Sequence, residues 1–89
     1  MPNHRAPAAP EFRSALLAIF DKASREGLRV VDVKSGDVHR ALGVYPKPNH
    51  NMPTCCSVMR SLMKTGDLII AAPPKGNGAT LLIRYRLPR

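Results

Sequence analysis

The apolar residues of this chain change their period part-way along it, and that change confines the fold to one that mixes helices with strands. Phe12, Ala15, Leu16, Ile19, Phe20 and Ala23 recur at i, i+3, i+4 and i+7, the spacing of one helix face. Arg13, Ser14, Asp21 and Arg25 take the other face and Gly27 stops the run, which predicts a helix over roughly 11–26. Near the far end Leu81, Ile83, Tyr85 and Leu87 alternate with Thr80, Leu82, Arg84 and Arg86, the spacing of a strand with one face in a core. Both patterns within 89 residues predict one small α+β domain.

The segments between them are short. Leu28–Val33 is β-branched and too brief for a helix, so it reads as a strand. Ser35 offers an N-cap, Asp37 suits a first turn, and Val38, Ala41 and Leu42 make one apolar edge before Gly43, giving a helix of about 36–42. Val44–Pro53 holds three prolines and two asparagines and reads as a loop. Thr54 is expected to cap a third helix over 55–65, ended by Gly66, with Cys55, Val58, Met59, Leu62 and Met63 on one side. Leu68–Ala72 and Ala79–Leu87 then form a hairpin around a loop rich in Pro and Gly. Residues 1–10, rich in Pro and Ala, are expected to be a disordered arm before a domain spanning 11–89.

Charge narrows the function. Fourteen Lys and Arg oppose six Asp and Glu, for a net charge of +8. Residues 11–32 balance, whereas residues 33–65 carry Lys34, Arg40, Lys47, Arg60 and Lys64 against Asp37 alone. Residues 66–89 carry Lys75, Arg84, Arg86 and Arg89 against Asp67. Arg5 adds the last unit, and a basic excess lying mostly in the later chain points to a polyanion partner.

Catalysis finds little support. The six carboxylates are scattered, with no pair spaced for acid–base work. Cys55, Cys56 and the histidines at 4, 39 and 50 lack the spacing of a metal site, and no cofactor is expected. A thiol in the first turn of a helix can be activated, but Cys55 falls on the apolar side, where cysteine acts as a small hydrophobe. Gly76-x-Gly78 lacks the third glycine of a dinucleotide fingerprint and precedes a strand. His39 is expected on the outer side of the second helix, as a surface or phosphate-contacting residue. Two adjacent cysteines form no disulfide framework, and no apolar run is long enough for a bilayer, so the cytoplasm is the expected compartment.

The order helix, strand, helix, helix, strand, strand resembles a winged helix-turn-helix DNA-binding domain. Ser35–Gly43 (SGDVHRALG) stands in the place of its second helix, Thr54–Lys64 in that of its third, and the hairpin in that of its wing. The ten-residue loop before the third helix is longer than the family's usual turn. The resemblance implies a non-catalytic duplex-DNA binder, a regulator or recognition module, with its third helix in the major groove. Arg60 would donate to guanine, Ser57 and Ser61 would reach bases or phosphates, and Lys64 would touch phosphate. The hairpin loop 73–79, with Lys75 and Asn77, would lie along the backbone. Arg84, Arg86 and Arg40 would extend the basic surface, and Lys47, Asn49 and His50 in the long loop would read bases. The alternative reading is a protein-interaction module docking through loop 44–53. An RNA binder ranks lower, because Tyr45 alone is left for stacking. With no heptad run in the sequence, a monomer is expected.

Overall fold

The computed structural model describes residues 8–42, 52–74 and 78–89. Within them lie three helices, α1 (Ala9–Arg25), α2 (Ser35–Ala41) and α3 (Met52–Ser61), and three strands, β1 (Val30–Lys34), β2 (Leu68–Ala71) and β3 (Leu82–Arg86). The strands make one antiparallel sheet in the order β1-β3-β2. This is the small α+β architecture that the two apolar periods predict, and β2 and β3 form the expected hairpin. Among the described residues no helix is long and apolar enough to cross a membrane.

Helix α1 begins earlier than its periodicity indicated, so Ala9 and Pro10 belong to the helix and not to an arm. The Ala8 backbone N–H donates to the Glu11 carboxylate at 2.9 Å, which satisfies an orphan donor ahead of the first turn. At its other end Gly27 adopts φ +81°, with Leu28 N–H on the Ala23 carbonyl and Gly27 N–H on that of Ser24. That is the paired bonding of a Schellman stop, which needs a residue at ease in the left-handed region.

The core is mainly aliphatic with two ring contacts. Phe12, Leu16, Phe20 and Ala23 of α1 pack with Val33, Val38, Met59 and the inward row Leu81, Ile83, Tyr85 and Leu87. The Phe20 and Tyr85 rings lie 4.6 Å apart between centroids. Strand β1 pairs Val33 with Ile83 and Val31 with Tyr85, so these four share the inward face. Among the described residues strand β2 has only β3 beside it, and all four of its residues are exposed.

Four local expectations are corrected. Ser35 is not an N-cap: it is the first residue of α2, buried, and its hydroxyl donates across the fold to the Gly78 carbonyl. Thr54 is not a cap either, because α3 starts at Met52 with Pro53 in its first turn, where a missing N–H is harmless. Helix α3 also ends at Ser61 and not at 65, as the chain turns towards β2. His39 is fully buried, not an outer residue. Its ring lies 4.8 Å from that of Phe12 and its Nδ1 is 3.3 Å from the Ser35 carbonyl oxygen. A seven-residue helix wedged between α1, α3 and β1 has little outer side to offer.

Candidate nucleic-acid interface

Helix α3 is amphipathic in the manner its sequence requires. Met52, Cys55, Cys56, Val58 and Met59 are buried, Ser57 and Ser61 are exposed, and Arg60 is half-buried between them. What fixes the helix is the treatment of its C-terminal carbonyls, which have no partner within the helix. The Tyr85 hydroxyl donates to the Met59 carbonyl at 2.8 Å, Met63 N–H reaches Arg60, and Arg89 Nη2 reaches Leu62. Strand β3 and the residues after it therefore hold the end of α3, and the cationic Arg89 suits the negative end of the helix dipole.

Past that end, residues 64–67 form a tight turn. Asp67 N–H donates to the Lys64 carbonyl at 3.0 Å and Gly66 sits at φ +96°. The buried Asp67 carboxylate accepts from Lys64 N–H and Arg86 N–H, each at 2.7 Å, and from Arg89 Nη1. Burial raises the pKa of its carboxyl. The two backbone amides and the Arg89 guanidinium outweigh that and hold it below the ordinary range. One carboxylate thus ties the α3–β2 turn to β3.

The N-terminal part of α3 is tied to the other end of the hairpin. Cys56 Sγ stands 3.4 Å from both the N–H and the carbonyl oxygen of Gly78, and the Ser35 hydroxyl reaches the same carbonyl. Cys56 is fully buried by these contacts, as is Cys55, whose thiol points at the Ser35 carbonyl. Burial, with a smaller contribution from Cys56, pushes the Cys55 thiol up to about 12, so it stays protonated at neutral pH. Among the described residues no cluster of three metal-ligating side chains occurs.

The sequence-predicted site residues divide into four groups. Ser57, Arg60, Ser61 and Lys64 lie along the outer side of α3 and its following turn, although the Ser61 hydroxyl donates back to the Val58 carbonyl at 2.8 Å. Arg84 and Arg86 share the outer face of the sheet, opposite the buried Ile83 and Tyr85. Arg84 is engaged there: its Nε and Nη2 donate to the Asp32 carboxylate at 2.8 and 3.0 Å. That paired bonding lowers the Asp32 pKa and raises that of Arg84. Arg40, on α2, donates to Asp37 at 2.7 Å. Lys47, Asn49, His50, Lys75 and Asn77 lie outside the described residues.

Two features were missed by sequence reasoning. Lys34 stands on the outer sheet face, where β1 pairs it with Leu82, and its place in the alternation of β1 would have revealed it. The Asp67–Arg89 pair, at 2.8 Å, had no local signal. In comparisons with protein-family models, curated proteins and solved structures, nothing matches this chain.

Proposed function

We propose that this chain is a non-catalytic protein that binds duplex DNA, with the outer side of α3 in the major groove and the β2–β3 connection along the sugar–phosphate backbone. The fold is read as a winged helix, with which its element order is compatible. The observation that carries the reading is the outer side of α3. It bears Ser57, Arg60, Ser61 and, in the next turn, Lys64, while the opposite side is wholly committed to the core. The helix is held at both ends by the hairpin, so its side chains are presented from a rigid support. The net charge of +8 supplies the non-specific attraction that such binding needs. Because Arg84 and Arg40 already face carboxylates, they contribute less than a count of cations implies.

A protein-interaction module is the second reading, and β2 favours it. Leu68, Ile69 and Ile70 are 56%, 45% and 43% exposed on a strand with one edge unpaired among the described residues. Titration by fluorescence anisotropy against duplex DNA, single-stranded DNA and duplex RNA at two salt concentrations separates the two. Neutralising some five phosphates gives a slope of log K against log salt of about −4 to −5. Absence of duplex binding at low salt leaves the interaction module in front.

A further inference from the structure

We propose that the concavity between the turn after α3 and the end of β3 is a binding site for a phosphate group. The inference rests on the DNA reading only for the source of that phosphate. The concavity encloses about 240 Å³ and is lined by Lys64, Thr65 and Arg86 around a floor formed by Asp67 and Arg89. Lys64 and Arg86 come from different elements, 22 residues apart in the chain, and both are exposed. Neither makes an ion pair among the described residues, unlike Arg25, Arg40, Arg84 and Arg89. Two cations on one hollow, neither engaged by a carboxylate of its own, leave an anion placed between them attracted by both.

The floor does not cancel this charge. Asp67 is buried and already matched by Arg89 Nη1 and two backbone N–H groups, so the pair presents no net charge to the hollow. Arg86 also lies over the turn. Its Cδ and Nη1 are 2.6 and 2.7 Å from the point where a Cβ on residue 66 would stand, in space that a glycine leaves open. A guanidinium there offers a planar fork that matches two phosphate oxygens. Lys64 adds a point charge, and the Thr65 hydroxyl a neutral donor.

The test is a titration of the ¹⁵N-labelled full chain with inorganic phosphate at constant ionic strength, with sodium chloride as the matched control. Saturable amide shifts confined to residues 64–67 and 86–89, lost in the Lys64→Ala/Arg86→Ala variant while its remaining spectrum is unchanged, are the expected result. Shifts that fail to saturate, or that persist in the variant, overturn the site. The same variant in the duplex titration identifies the source. If the phosphate belongs to a nucleic-acid backbone, the salt slope falls by about one for each cation removed. An unchanged slope alongside lost phosphate shifts assigns the site to a small phosphorylated ligand. If wild-type protein binds no duplex, the DNA reading fails and the phosphate titration alone decides the site.

Discussion

The Arg89 guanidinium lies 2.8 Å from the Asp67 carboxylate, with 7% of one side chain and none of the other exposed. It also lies 5.0 Å from the centroid of the Phe20 ring and 5.1 Å from that of Tyr85. A pair buried among aromatic rings loses much hydration, and extra hydrogen bonds are what make it tolerable. Here the Arg86, Lys64 and Leu62 backbone groups supply them.

Removing one partner leaves the other buried and uncompensated. Asp67→Asn is therefore expected to cost about 3–5 kcal/mol in urea unfolding at pH 7. The sign of the pH dependence follows from the lowered pKa of Asp67. The unfolded chain takes up this proton near pH 3.9 while the folded chain still resists it. The contribution of Asp67 is thus complete above that range and is lost as pH falls through the folded value. Unfolding curves from pH 7 to pH 3 are expected to show a shallower acid limb for Asp67→Asn than for wild type.

Gly66→Ala tests the turn. The left-handed φ of +96° costs a residue with a Cβ about 1–2 kcal/mol, and the new methyl also meets Arg86. Arg86 is exposed and can move aside, so the steric part vanishes in an Arg86→Ala background while the backbone part stays. A double-mutant cycle measured by urea denaturation separates the two.

Cys55 and Cys56 are expected to respond differently to substitution and to reagents. With its thiol at about 12, Cys55 is alkylated in the folded protein only as fast as the chain opens, which a mass-spectrometric time course at pH 8 reads directly. Cys56→Ser keeps a donor and acceptor for Gly78. Cys56→Val strands the Gly78 N–H, while the Gly78 carbonyl keeps the Ser35 hydroxyl, and is expected to cost about 1–3 kcal/mol more.

Arg60→Ala tests base reading. It is expected to weaken binding to a preferred duplex by about 1–3 kcal/mol more than binding to random duplex, compared by anisotropy at one salt concentration. An equal loss on both would make Arg60 a backbone contact.

Helix α1 and the inward row of β3 were legible because each keeps one period for several turns or pairs. The outer residues of α3 were legible for the same reason. Ser35, His39 and Asp67 were not, since each is defined by a partner elsewhere in the fold. Ser35 looked like a cap because its neighbours in the chain suit one, and only the arrival of Gly78, 43 residues later, makes it a cross-link. The apolar run of β2 announced a strand but not its exposure, which depends on which edge of the sheet the helices leave open.

The two-sided hold on Gly78 by Ser35 and Cys56 makes that residue a fixed point where the chain approaches β3. Before it, Ala72 and Pro74 stand in solvent; after it, the chain is bolted to α2 and α3. Any body that touches both the outer side of α3 and the chain at Gly78 meets a ruler whose zero is cut into the helix pair. The offset between the two contacts is then a property of the protein, and partners whose own features are spaced differently must deform to match it.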